Sequence, residues 1–486
     1  MAFVTITAGP WSRGGAARHP GRARPLAPLA PPAPECPPST LPPRFRRWPV
    51  PAGPPSPVTQ KLLALTHNSV RRGRSFASTF HACQGKQYMT DHLFAGLKVI
   101  DCASWIAGPA AATILSDFGA EVIKIEPPGT GDPWRASSPV PGKTTDHYWQ
   151  LTSRNKRSLA IDLKHADGLA VLYRLLGAAD VFVTNFPLPV RQRLKIGAED
   201  VLPLNPRLIY ASFSAYGEKG DEAGRTGFDS TAYWARTGLM DMVRATATTD
   251  PARSVPGMGD HPSATALYAA IVTALYRREK TGKGGLVQSS LLQNGLWANA
   301  CFVQSRLCGE TVPLRPPRAV APNPLANHYR CRDGRWFIMA LFNEQRQLRD
   351  FLSAIDCAQL AEDARFATSE ARRQNAGAFV EILDAVFAQR DLEQWRTILN
   401  AAGVTFGAVH STDESSSDLQ FQRIGALVPF ADGDGLTVSS PFHIEGEIKV
   451  APQRAPSVGQ HNRELLAEAG YTAAEVEALK SRGIVG

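Results

Sequence analysis

The chain has 486 residues, 43% of them hydrophobic, and a formal net charge of +9. That length exceeds one compact domain and allows a sizeable core, and no apolar run is long enough to span a bilayer. The charge is uneven: residues 1–88 carry 12 Lys/Arg against one acid, Glu35, and the remainder carries 41 against 43, which excludes a basic nucleic-acid surface on the main body.

Residues 1–88 differ from the rest. Proline clusters at 25–57 around Arg44, Arg46 and Arg47. Such acid-poor sequence cannot bury a core and is expected to be a disordered extension. The prolines spoil an amphipathic targeting helix. A polyanion-binding tail and translated upstream sequence ahead of a natural start at Met89 remain, and the abrupt onset of folded-type patterning at Met89 favours the second. Seven scattered cysteines (Cys36, Cys83, Cys102, Cys301, Cys308, Cys331, Cys357) form no CxxC pair. A reduced, cytoplasmic setting is expected, with neither a disulfide framework nor a metal site.

The patterning from residue 97 predicts α/β architecture. A strand at Leu97–Asp101, a helix at Pro109–Phe118 and a strand at Glu121–Glu126 make a βαβ unit and imply a parallel sheet. The turn after the first strand, Ser104-Trp105-Ile106-Ala107-Gly108-Pro109, lacks the GxGxxG fingerprint, so no nicotinamide or flavin cofactor is assigned. Strands are expected again at Leu159–Leu163, Val181–Val183 and Leu208–Phe213, with a helix at 165–178. Asn185, Ser214 and Tyr216 then fall beyond strand carboxyl ends, where open parallel sheets carry functional loops. Lys156, Arg157, Lys164, Arg191, Arg193 and Lys195 form a basic group that suits phosphates or is simply a solvated face.

The organising stretch is Val255–Gly285. Asp260 sits in a Gly-rich turn ahead of an apolar-periodic helix that ends in Arg277, Arg278 and Lys280 before Gly282. A carboxylate there is favoured in its ionised form by the helix dipole. It is either a nucleophile approached closely by glycine backbone or, with Ser263, a helix cap. Leu286–Leu291 reads as a strand or buried turn, and 292–309 as helical. The Pro-rich stretch 313–325 marks a boundary. A hairpin at His328–Leu341 turning at Asp333-Gly334 follows, then helices at 344–355, 357–362, 368–389 and 391–402. Short strands are expected from about 420 (ALVPF, LTVSS, FHIEG), and two helices at 461–484.

Taken together, these segments resemble the class III coenzyme A transferases, the formyl-CoA transferase family. The match runs from Leu93 to Gly486. It includes LFAGLKVIDCASWIAGPAAATILSDFGAEVIKIEPPGTGDPWR at 93–135, NKRSLAIDLK at 155–164, NFPLPVRQRLKIG at 185–197, NPRLIYASFSAYG at 205–217 and the Gly259-Asp260 turn with its helix. NPLANHYRCRDGRW at 323–336 and GQHNRELLAEAGYTAAEVEAL at 459–479 extend it. The resemblance implies a Rossmann-like large domain with a parallel sheet plus a smaller α+β domain, in homodimers of interlocked rings. The expected boundaries are 89–312 for the first part of the large domain, 313–425 for the linker and small domain, and 426–486 for a return segment. It implies Asp260 as covalent nucleophile and Trp105, Ile106, Ile161, Lys164, Asn185, Phe186 and Arg193 as coenzyme A contacts. Coenzyme A esters are then substrates, with a carboxylic acid as partner, no separate cofactor, no nucleic acid and no membrane. The backbone N–H groups of Gly257 and Gly259 are candidate oxyanion donors.

The same fold hosts 2-methylacyl-CoA racemases, which need two bases flanking the α-carbon. Their Gly-His-Asp motif corresponds here to Gly227-Phe228-Asp229, and phenylalanine takes no proton, so transfer is favoured. Asp229 is read as ordering the site or as purely structural. The stretch at 314–324 lacks the Gly-rich flap of formyl-CoA transferases, which weighs against formyl-CoA and oxalate as substrates, and Pro127 stands where that enzyme has an arginine near the coenzyme, so different adenine-side contacts are expected. Trp234, Trp297 and Phe302 are candidates for an apolar acyl pocket. A non-catalytic binder of coenzyme A esters or polyanions is the remaining alternative.

Overall fold

The computed structural model describes residues 92–137 and 146–486; the disorder expected for residues 1–88 lies outside the described residues. Six strands form one sheet, β1 (Lys98–Cys102), β2 (Glu121–Glu126), β3 (Lys156–Ala160), β4 (Val181–Thr184), β5 (Ile209–Ser214) and β6 (Gly285–Ser290). Their order is β3-β2-β1-β4-β5-β6 and every pairing is parallel. The order reverses between β1 and β4. In open parallel sheets ligands lie outside the strand carboxyl ends at such a reversal.

The strands read as near-continuous apolar runs because helices cover both faces. Val99, Val122, Val181 and Ile209 face the helices α1 (Ala107–Asp117) and α2 (Asp260–Thr281). Ile100, Ile123, Phe182 and Tyr210 face the opposite way, against Val171, Leu172 and Leu176 and the C-terminal Leu465, Leu466 and Leu479. Each such fully buried aliphatic side chain contributes about 1.5–3 kcal/mol. A separate core gathers Tyr329, Phe337, Phe379, Phe387 and Trp395 under the antiparallel strands β7 (His328–Arg330), β8 (Trp336–Met339) and β9 (Phe406–Ala408).

Several expected elements shift. The strand expected at 159–163 lies at Lys156–Ala160, in register with Val122 to Glu126. Lys156 belongs in the sheet because Asp101 neutralises it there at 2.9 Å, while Ile161 leaves to bridge Val485. The helix expected at 368–389 divides into Ser369–Gln374 and Ala376–Phe387. FHIEG forms no strand: Phe442 is fixed by stacking on Phe118, centroids 5.2 Å apart, so side-chain packing replaces a backbone ladder. The strand β9, hidden in a short Gly-containing run, was not legible from periodicity.

Candidate active site

Helix α2 begins at Asp260 and ends at Gly282, whose φ of +71° and N–H bond to Arg278 O (2.7 Å) close it. Just before the helix the chain passes within contact of Asp229. A Cβ on Gly259 would lie 2.7 Å from Tyr233 Cγ and 2.9 Å from Asp229 Cβ, so only glycine brings the turn this close. The buried Asp229 accepts a hydrogen bond from Gly259 N at 3.3 Å and from Ser230 N at 2.6 Å.

The capping reading fails. No side chain caps this helix, and the Ser263 hydroxyl is buried without a hydrogen-bond partner. Asp260 instead faces a cavity. Burial pushes its carboxyl up to about 7, and the neighbouring Asp229 charge adds to the rise. The dipole argument for a firmly ionised carboxylate therefore loses to desolvation and like charge: the group is poised near neutrality.

That cavity, about 260 Å³, is lined by Asp260 together with Trp105, Ile106, Asn185, Phe186 and Phe228. Phe213, Ser214 and Leu291 also line it, as do Pro133, Pro187 and the cation Arg225. A second cavity of about 180 Å³ is lined by Ile161, Lys164 and Pro127, and shares Ser104 and Phe186 with the first. Six of the seven residues carried over for coenzyme A thus line two adjoining cavities at the β1/β4 reversal. Arg193 is exposed and lines neither. Asn185 spends both amide atoms on the backbone of Ser104, accepting from its N at 2.8 Å and donating to its O at 2.7 Å, so it braces the turn after β1.

Other expectations need correction. Lys156 is buried against Asp101, Arg157 is paired with Glu121, Glu464 and Glu468, and Arg191 is buried on Glu218. Half of the basic group is therefore structural, because each cation already has a carboxylate, and Lys164, Arg193 and Lys195 remain exposed. Gly257 and Gly259 stand outside the cavity lining, and Gly259 has already given its N–H to Asp229. Trp234 is a core residue bonded to Ala252 O at 2.6 Å, while Trp297 and Phe302 are exposed; none lines the cavity. Its aromatic walls come from Trp105, Phe186, Phe213 and Phe228, from four separate stretches of chain. Tyr216 stacks under Arg225, 5.0 Å from its guanidinium, outside the lining.

Sequence reasoning gave no role to Asp132, although its Gly131-Asp132-Pro133-Trp134-Arg135 run was in view. Asp132 is buried, with Lys124 Nζ 2.9 Å from its Oδ2.

A parallel sheet with an acid at a helix start, above a cleft at the strand-order reversal, defines an α/β protein shaped for an elongated ligand. The chain belongs to CoA-transferase family III, whose model matches residues 94–462. It is 32% identical over 403 residues to (R)-2-hydroxy-4-methylpentanoate CoA-transferase of Clostridioides difficile, covering 81% of this chain and 99% of that protein. It is 29% identical over 397 residues to succinyl-CoA:glutarate CoA-transferase of Mus musculus, covering 80% and 89%. A CAIB/BAIF family protein from Brucella suis superposes with a TM-score of 0.70 at 28% identity, over 78% of this chain and all of that one. Family and relatives make it an enzyme of coenzyme A transfer, acting on acyl-CoA and an acid.

Proposed function

We propose that Asp260 is the covalent nucleophile of this transfer and that the two adjoining cavities hold the acyl-CoA. The observation that carries this is one carboxyl, tuned to about 7, at the head of a cleft running toward Ile161 and Lys164. A group near neutrality is ionised often enough to attack and is a good enough leaving group to be displaced.

An oxygen of the Asp260 carboxylate attacks the donor thioester carbon. The C–S bond breaks, giving an acyl–aspartyl anhydride and a coenzyme A thiolate. The thiolate attacks the aspartyl carbonyl and expels the donor acid as its carboxylate, leaving an aspartyl thioester. The acceptor carboxylate attacks that thioester, regenerating the thiolate and forming a second anhydride. The thiolate then attacks the acceptor's acyl carbon and frees Asp260. No net proton is consumed. Water must be kept away because anhydrides hydrolyse, and the aromatic walls of the cavity suit that need. They also favour an acid with an apolar body over a small polar diacid such as oxalate.

Asp260→Ala should abolish exchange in a matrix of acyl-CoA donors and carboxylic acids read by mass spectrometry. Hydroxylamine added with a donor should leave a hydroxamate on the Asp260 peptide of the wild type. Undiminished exchange by the variant sinks the reading.

The racemase alternative is disfavoured because Phe228, on the cavity wall, offers no base. Deuterium uptake at the α-carbon of a 2-methylacyl-CoA without any acceptor acid would reverse that judgement. A second copy of the chain is the proposed partner. Trp297 and Leu307, exposed by 82% and 77% on neighbouring helices, supply apolar surface for it. Sedimentation as a monomer at micromolar concentration would argue against a dimer.

A further inference from the structure

Trp105 has a φ of +68°, a left-handed backbone that bulky residues rarely adopt. Three other non-glycine residues among those described share it: Asn155, Lys195 and Asp356. Asn and Asp tolerate the region, and Lys195 closes a helix. Trp105 has neither excuse. Strain of this kind persists only where the surroundings over-determine it.

They do so here residue by residue. Lys124 Nζ donates to Ala103 O. Asn185 brackets both backbone atoms of Ser104. Asp132 Oδ1 accepts from Trp105 N at 3.3 Å and from Trp134 N at 2.9 Å. Behind these contacts lies a buried chain of charges. Lys124, paired in register with Asp101 across β1 and β2, lies 3.9 Å from Asp101 Oδ1 and 2.9 Å from Asp132 Oδ2. The second contact is an ion pair without hydrogen-bond angles, since Asp132 Oδ2 has no hydrogen-bond partner. Lys156 closes the chain on Asp101 Oδ2 at 2.9 Å. Two aspartates and two lysines, all buried, balance in charge. Replacing such a network by apolar side chains is often neutral or stabilising. Packing alone therefore does not account for it, and it ends on the turn that carries a cavity wall.

We propose that Asp132 is a positioning residue for the transfer reaction: paired with Lys124, it holds the Trp105 backbone in its left-handed conformation and so keeps the indole on the wall of the Asp260 cavity. Trp105 is 41% exposed there, its ring centroid 5.8 Å from that of Trp134 and 6.0 Å from that of Phe228. This rests on the reading of that cavity as the coenzyme A site.

The test is a double-mutant cycle on coenzyme A binding, measured by calorimetry on the full chain. Trp105→Ala and Asp132→Ala are each expected to weaken binding about tenfold, and the double variant no further, because Asp132, although it also lines the second cavity, acts on the ligand through Trp105. Asp132→Asn keeps an oxygen that accepts from Trp105 N but turns an amide nitrogen toward Lys124 Nζ, so its loss should be smaller than that of Asp132→Ala without disappearing. Trp105→Gly should match Trp105→Ala in binding while raising the urea midpoint, since glycine is at ease at this φ. Should Asp132→Ala not fold, Asp132→Asn serves in its place, and its smaller loss must vanish on the Trp105→Ala background. Losses that multiply to about a hundredfold in the double variant overturn the role of Asp132 while leaving the site intact. A wild type that does not bind coenzyme A overturns the site and this inference together.

Discussion

Asp260→Asn is the sharpest perturbation, because it removes an ionisation that the fold opposes. In the folded protein burial and Asp229 raise the carboxyl from 3.8 to about 7. Between those values the folded chain binds more protons than the unfolded chain. This group's contribution to stability therefore falls as pH rises from about 4 to 7 and levels off above. Three decades at about 1.4 kcal/mol each give ~4 kcal/mol, and solvent screening at the partly exposed carboxyl leaves about 2–4 kcal/mol. Asparagine has nearly the same shape and no charge to desolvate. Relative to wild type, the variant should gain stability as pH rises, by about 1–3 kcal/mol between pH 5 and 8. Urea unfolding of both proteins at the two pH values measures it. A gap that does not change with pH, or one that narrows, refutes the argument that this carboxyl is held near neutrality. The same tuning makes kcat/KM of the wild type rise with pH up to about 7 and then flatten.

Gly259→Ala places a methyl 2.7 Å from Tyr233 Cγ and 2.9 Å from Asp229 Cβ; overpacking should cost about 1–3 kcal/mol in urea unfolding, and displacing Asp229 should depress transfer as well. Lys164→Ala should weaken coenzyme A binding about three- to tenfold, as loss of one phosphate-directed cation would, whereas Arg157→Ala, whose guanidinium is held by three glutamates, should leave affinity unchanged; equal effects in calorimetry would contradict that division of the basic group.

Residue types and their spacing were enough to read the α/β class, the long helix after Asp260 and the hairpin at Asp333-Gly334. Each rests on local physics: apolar periodicity, a glycine that accepts positive φ, a short loop over Arg332, Asp333 and Gly334 closed between Cys331 and Arg335. Local pattern already marked Lys164, Asn185 and Asp260, resemblance added Trp105, Ile106, Ile161 and Phe186, and tertiary structure brought all seven to two adjoining cavities. Partnership was not legible. Lys156 and Lys164 look alike in sequence, yet one is buried on Asp101 and the other is free to meet a ligand. Phe228 read as an absent base and is a cavity wall, and Gly259 read as an oxyanion donor although Asp229 has taken its N–H. Asp132 carried no local signal, because its meaning depends on a lysine eight residues back and a tryptophan whose backbone it restrains. Charge, burial and close approach are properties of pairs, and pairs across a parallel sheet are set only when the strands take their order.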